Sequence, residues 1–387
     1  MRSTRSTCTG VARPWREDHV VRCSPEARVI TEPPLRKPTL RDVSRLAGVS
    51  RMTVTRVFIR PDQVLPATRA RVQQAVMHLG YVPDRAAGSL STRRSGFVGL
   101  VVPTLNNGNF AALAEGLTEA LRPAGYELLI GYTSYSIAEE ERQIRTMLSR
   151  RPEALVLAAT NHSQATRTLL DHPGPPVIEI ADLPAQPLGR AIGVSNHAVG
   201  RAAAAFLLDL GHRKLGALGP GRSDDQIDTR GEARLEGFRE ALREAGRSTD
   251  FVRAEGRLPN SFTHGAAAMA ALLAQAPDVE AVFAISDLSA VGALMECRRQ
   301  GIAVPDQLSL LGFGDFEIGQ QLVPPLSTIS IDFPNLGRTT GHMIIGLLQK
   351  PDMMPERRID VGFELIARGT TRAAHRLSLP QTGATHG

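Results

Sequence analysis

Arg51, Met52, Thr55 and Arg56 stand on one side of a short helical segment, opposite Val54 and Val57. Two guanidinium forks and a solvent-facing thioether are not a set that packing requires, and the arginines suit an anionic surface. Ser50 precedes the segment at the N-cap position, where its hydroxyl can accept from a free amide of the first turn. The charge of the chain points the same way. Residues 1–94 hold 18 Lys and Arg against 7 Asp and Glu, and the remainder holds 27 against 32, so the net +6 conceals a basic head on a slightly acidic body. Such a head fits a polyanion; the other option is a basic, solvated tail.

Three helices must position that face. Leu40, Val43, Leu46 and Ala47 recur at helical spacing behind Thr39 as N-cap, Asp42 lies three residues on, and Gly48 ends the helix. Arg51 to Phe58 forms the second, with Val54, Val57 and Phe58 inward and Pro61 beyond its end. Pro66 suits the first turn of a third, which runs to Leu79 with Val72, Ala75, Val76 and Leu79 inward and Gly80 closing it. Two helices joined by a glycine turn form a helix-turn-helix, or else a three-helix core with no nucleic-acid role.

The rest of the chain alternates differently. Phe97–Val102 is an apolar run, followed by an Asn-rich loop and a helix over about 110–121. Further runs at 126–131, 154–158, 176–180, 214–218, 251–254, 281–285 and 308–313 are separated by helical stretches. Continuous apolar runs between helices imply parallel sheets covered on both faces. So many units exceed one sheet, which predicts two Rossmann-like subdomains with a ligand cleft at the carboxyl ends of their strands.

Several classes are excluded. No apolar run approaches the ~18 residues of a membrane span. Cys8, Cys23 and Cys297 are too few for a disulfide framework and suit a reducing compartment, hence the cytoplasm. Cys8 and Cys23 around His19 lack zinc spacing, so neither metal nor cofactor is expected. Gly216–Gly221 is glycine-rich but no Lys-Ser/Thr follows it, and no Gly-x-Ser-x-Gly elbow or ligand-spaced His pair occurs, which argues against an enzyme. An exported sugar-binding protein would carry a signal peptide where this chain has its basic head.

Thr39-Leu40-Arg41-Asp42-Val43, Ala47-Gly48-Val49-Ser50 and Thr53-Val54-Thr55-Arg56-Val57 resemble the DNA-binding head of the lactose-repressor (LacI/GalR) family. The likeness continues through Leu79–Ala87 to Leu90, and through Gly211–Leu215, Arg234–Phe238, Ser286-Asp287 and Val291-Gly292-Ala293, covering roughly 39–371. Arg51–Val54, Pro61–Val64 and Gly312-Phe313-Gly314 look most like the gluconate-utilisation branch. The resemblance implies an all-α helix-turn-helix head on an α/β periplasmic-binding-protein-like core of two Rossmann-like subdomains. It implies a homodimeric regulator, of repressor type, on a palindromic double-stranded DNA operator. Arg51, Met52 and Arg56 would then read base edges, the arginines taking guanine O6 and N7 and Met52 making apolar contact only. Ser50, Thr53, Thr55 and Thr68 would touch phosphates, Ser50 also serving as cap. Residues 84–91 resemble the family's hinge helix, with Ala87 and Leu90 in the minor groove. Gly88 weakens that helix by about 1 kcal/mol relative to Ala. Ile59 and Leu65 replace polar residues at expected phosphate contacts.

For a small-molecule effector the resemblance implies Asn106, Asn109, Phe110, Glu179, Asp182, Asn196, Arg230, Arg234 and Ser286. An arginine fork at Arg234 suits a carboxylate, and Arg230, one turn earlier, is either a second positive group or a surface ion-pair residue. Gly314 stands where sugar-binding members carry an aspartate, and losing that carboxylate eases the binding of an anion. A small sugar acid such as gluconate is expected, with a neutral sugar or nucleobase as the alternative. The expected organisation is a disordered extension or over-long start at 1–37, a head at 38–83, a hinge at 84–94 and a core at 95–376. Within the core one subdomain takes 95–194 and 330–360, and the other 195–329 and 361–376. The tail at 377–387 has no heptads, which predicts a dimer rather than a tetramer.

Overall fold

The computed structural model describes residues 36–82, 95–158, 161–223, 225–350 and 356–373. The hinge residues Ala87 and Leu90, the 377–387 tail, and Cys8 and Cys23 lie outside the described residues. The chain divides into two compact units, one ending at Asp84 and one beginning at Arg85.

In the first unit, α1 (Leu40–Ala47), α2 (Arg51–Ile59) and α3 (Pro66–Leu79) enclose Val43, Val54, Val57, Val72 and Ala75. Asp42 accepts from the Thr39 amide at 2.9 Å and the Thr39 hydroxyl at 2.6 Å, pinning the start of α1. Ser50 caps α2 by accepting from the Thr53 amide at 3.1 Å. Gly48 and Gly80 close α1 and α3 in the left-handed region. Leu46 and Phe58, expected inward, are exposed instead. Three short helices cover only the Val43–Ala47 side of α1, and Phe58 lies against the Tyr81 ring with centroids 6.4 Å apart.

The second unit contains two six-stranded sheets. One comprises β1 (Phe97–Val102), β2 (Glu127–Tyr132), β3 (Ala154–Leu157), β4 (Val177–Ile180), β5 (Arg190–Gly193) and β11 (Arg358–Asp360). Its order is β11-β5-β4-β3-β1-β2, and every pair is parallel. The other comprises β6 (Leu215–Gly219), β7 (Val252–Ala254), β8 (Ala281–Ala284), β9 (Ser309–Phe313), β10 (Ser327–Ser330) and β12 (Glu364–Ile366). Its order is β12-β10-β9-β8-β6-β7, parallel except for β12. Both are doubly wound sheets whose order reverses beside the first strand, the place where such folds open a crevice. β5, β10, β11 and β12 had no counterpart among the apolar runs.

Helices cover the sheets: α4 (Gly108–Leu121), α5 (Ile137–Leu148), α6 (Gln164–Leu170) and α12 (Phe333–Gln349) accompany the first, and α7 (Asn196–Asp209), α8 (Thr229–Glu244), α9 (Phe262–Gln275), α10 (Asp287–Arg299) and α11 (Glu317–Gln321) the second. The chain passes between sheets after β5, after β10 and between β11 and β12. α7 and α8 meet closely because a Cβ on Gly200 would lie 1.9 Å from the Arg234 carbonyl oxygen. That contact fixes the height at which α8 presents its first two turns.

Candidate functional site

A narrow cleft, about 40 Å³ in cavity volume, opens at the carboxyl ends of both sheets, the place where such folds take small molecules. Asn107 reaches it as the N-cap of α4, Asn109 and Phe110 from the first turn of that helix, Tyr135 from the turn after β2, and Asn196 from the start of α7. Asp228, Arg230 and Arg234 come from the start of α8, Asn260 from before α9, Ser286 from the cap of α10, Phe313 from the last position of β9 and Phe316 from the loop beyond it.

Two buried arginines dominate the floor. Arg234 is 6% exposed, lies over the Phe313 ring at 4.1 Å and donates through Nη1 to Asn196 Oδ1. Its Nε is buried without a partner. Burial pulls its pKa down to about 10, and the negative charges of Asp228 and Asp182 offset that only in part. Arg230 is 8% exposed, stacks at 5.3 Å over Phe110 and donates to the Ala158 carbonyl. Among the described residues neither guanidinium has an ion-pair partner, which excludes the surface ion pair entertained for Arg230. Tyr135, at a left-handed φ of 64°, has its phenol pKa raised by burial and by the Asp228 charge. The lining thus presents donors in excess: two guanidiniums and several amides against the one carboxylate of Asp228, whose Oδ1 already accepts from the Gly231 amide at 3.1 Å.

Gly314 explains itself here. Its φ is +126°, its carbonyl accepts from Asn109 Nδ2 at 3.0 Å, and a Cβ would meet that nitrogen at 2.9 Å. Asp315, next in sequence, is turned to Arg368 at 2.7 Å and does not line the cleft.

Of the nine effector residues expected from sequence, Asn109, Phe110, Asn196, Arg230, Arg234 and Ser286 line the cleft together. Three do not. Asn106 yields its place to Asn107, the N-cap of α4. Glu179 is buried with both oxygens engaged, one 3.2 Å from His162 Nε2 and one accepting from the Leu188 amide at 2.6 Å. His162 in turn meets Glu140 at 2.7 Å through Nδ1. Burial opposes a charge on His162, but the two glutamates outweigh it and hold the pKa at about 9. Asp182 stands behind the lining, accepting at 2.9 Å from Asn196 Nδ2, so it orients the amide that holds Arg234. Tyr135, Asp228, Asn260, Phe313 and Phe316 escaped the sequence reading. They sit on connections whose convergence depends on the assembled sheets, and only the run Leu310–Phe313 hinted at one of them.

On the separate first unit, Arg51, Met52 and Arg56 are exposed along α2, Met52 to 71%. Thr53, Thr55 and Thr68 are half-buried and Ser50 is exposed. The hydroxyls of Ser50 and Thr55 already serve the helix, Thr55 donating to the Arg51 carbonyl at 3.0 Å. Ile59 and Leu65 present open apolar surface.

The family described as bacterial regulatory proteins, lacI family, matches residues 39–84, and the periplasmic binding protein-like domain matches 204–371. The HTH-type transcriptional regulator GntR of Pseudomonas aeruginosa is 35% identical over 335 residues, covering 87% of this chain and 96% of the relative. A LacI-family transcriptional regulator from Silicibacter pomeroyi superposes with a TM-score of 0.80 at 33% identity, over 87% of this chain and 99% of that one. The complex of the transcriptional regulator CelR with cellobiose gives a TM-score of 0.62 at 30% identity, over 86% and 99%. Among the described residues no helix is long and apolar enough to cross a membrane.

Proposed function

The chain belongs to the lacI family of bacterial regulatory proteins, and from that premise we propose a specific role for this ligand-responsive transcriptional regulator. It is a cytoplasmic repressor that binds a palindromic operator as a homodimer, and a small sugar acid such as gluconate in the core cleft controls its affinity. Residues 38–83 form the operator-reading head, 84–94 the hinge and 95–376 the effector core.

The observation that carries the effector reading is the pair Arg230 and Arg234, buried in one cleft with no ion-pair partner among the described residues and with Arg234 Nε unfilled. A buried cation whose charge is only partly offset, here by Asp228 and Asp182, is costly, and a ligand carboxylate would supply further negative charge through a forked hydrogen bond. Asn109, Asn196 and Asp228 remain for hydroxyl groups, and Phe110 and Phe313 for the apolar face of a ligand. A neutral sugar is the second reading, favoured by the cellobiose held by the related CelR structure.

On the head, Arg51 and Arg56 support guanine recognition and Met52 an apolar contact, with Thr53 and Thr68 toward phosphates. Effector and operator then bias one equilibrium, typically by ~1–3 kcal/mol and reciprocally. The test is selection of bound palindromes from random DNA, followed by shift titrations with and without D-gluconate. A change in operator affinity of about 5- to 150-fold is expected; equal affinity at saturating gluconate contradicts the effector assignment.

A further inference from the structure

Beside the effector cleft lies a second narrow chamber of about 30 Å³, and the two share Tyr135, Asp228 and Arg230 in their walls. Thr133, Glu140 and Asn161 belong to the second chamber alone. Thr133 directly follows β2, Glu140 stands in the first turn of α5, and Asn161 lies on the connection from β3 to α6. All three therefore come from the carboxyl ends of the first sheet, next to the cleft.

The two chambers differ in the polarity of their walls. Among the described residues the cleft has two guanidiniums and one carboxylate, that of Asp228. The second chamber has one guanidinium, that of Arg230, and two carboxylates, those of Asp228 and Glu140. Glu140 is only 3% exposed, and its Oε1 lies 2.7 Å from His162 Nδ1. His162 also meets Glu179 at 3.2 Å, so two carboxylates flank one imidazole, and the cluster stays net negative even with the ring protonated. A carboxylate can accept about four hydrogen bonds, and a buried one is costly until donors reach it. His162 is the one donor to Glu140 among the described residues, which leaves the second oxygen to the chamber that Glu140 lines.

We propose that this chamber is a second effector subsite, which takes the hydroxyl-bearing far end of an open-chain polyhydroxy acid whose carboxylate lies at Arg234, and that Glu140 is its specificity-determining residue. The inference rests on the sugar-acid reading of the cleft and narrows the ligand class. Hydroxyl groups at the far end donate to Glu140 and Asp228. A phosphate or a second carboxylate there meets like charge in a buried place and is rejected. Chambers of about 40 and 30 Å³ in succession also suit a slender chain better than a pyranose ring.

Calorimetry on the full chain tests this with three acids: D-gluconate, the three-carbon D-glycerate, and D-glucarate, which ends in a second carboxylate. Gluconate should bind at least about tenfold tighter than either, the worth of one hydrogen bond to a charged group. Glucarate binding as tightly as gluconate overturns the proposal. Glu140→Gln removes the charge and keeps the size. It should weaken gluconate about tenfold, spare glycerate, which does not reach the chamber, and close the gap to glucarate. An equal loss for gluconate and glycerate marks Glu140 as general support and contradicts the subsite. Ile137→Phe fills the chamber from a half-buried position in its wall and leaves the His162 cluster intact. It should weaken gluconate and not glycerate; unchanged gluconate binding overturns the proposal. If gluconate and glycerate bind the unaltered protein equally, the second subsite fails alone. If no acid binds, the sugar-acid reading fails and the subsite with it.

Discussion

Replacing Arg234 by Met should make the ligand-free protein more stable while abolishing its response to an acid. Burial of the guanidinium lowers its pKa from the usual value to about 10, which corresponds to roughly 3 kcal/mol against the charged form. Met keeps the aliphatic stem and an aromatic contact with Phe313, so little packing is lost. Against the gain stands the bond to Asn196, worth about 1 kcal/mol, because its Oδ1 would lose a donor. The net expectation is a gain of about 1–2 kcal/mol for Arg234→Met without ligand, consistent with strain held at a binding site. D-gluconate should stabilise the original protein, since bound anion relieves the buried charge, and should leave Arg234→Met unmoved. Urea denaturation with and without gluconate reads both quantities. A variant less stable by about 3 kcal/mol or more, or one that still responds to gluconate, would refute the picture of a partly compensated arginine that a bound anion completes.

Other expectations concern separate parts of the molecule. His162 has its pKa raised to about 9, so its stabilisation is complete below pH ~6.5 and is lost as pH rises through about 9. The loss is on the order of 3 kcal/mol, and His162→Gln should flatten the denaturation midpoint across that window; an unchanged slope contradicts the assignment. Gly314→Ala should cost ~1–3 kcal/mol, because φ is +126° and the added Cβ meets Asn109 and Phe316 at 2.9 Å; equal stability in urea would show that the loop relaxes freely. Arg56→Ala should remove specific operator binding, a loss of ~1–3 kcal/mol per guanine contact, while gluconate affinity of the DNA-free protein stays the same. Undiminished operator affinity in a shift assay argues against α2 as the reading helix.

Much of the fold was legible because burial on both faces leaves a mark in sequence. Phe97–Val102 and Leu310–Phe313 are apolar from end to end and were visible as strands. β10 was not, because Ser327-Thr328-Ile329-Ser330 is polar by composition yet buried. Its hydroxyls are satisfied by distant partners, Thr328 donating to Asp287 at 2.8 Å and Ser327 meeting Thr371 at 2.8 Å. β11 and β12 have three residues each and carry no period at all. The candidate site divides along the same line. Residues tied to a helix start, such as Asn196, Arg230, Arg234 and Ser286, occupy positions that motif spacing fixes. Tyr135 and Asn260 depend on where loops from different strands converge, and Glu179 was misjudged because its partner His162 comes from another connection. A carboxylate at a strand end looks the same in sequence whether it faces a ligand or a buried histidine.

Calorimetric titration of the DNA-free protein with D-gluconate, with D-glucose, ribose and cellobiose alongside, tests the central claim most directly. Saturable binding of gluconate to the original chain, much weaker binding of the neutral sugars, and no gluconate binding to Arg234→Met are the predicted results. Equal or tighter binding of a neutral sugar, or no heat with gluconate at all, would contradict a cleft built around two buried arginines for an acid.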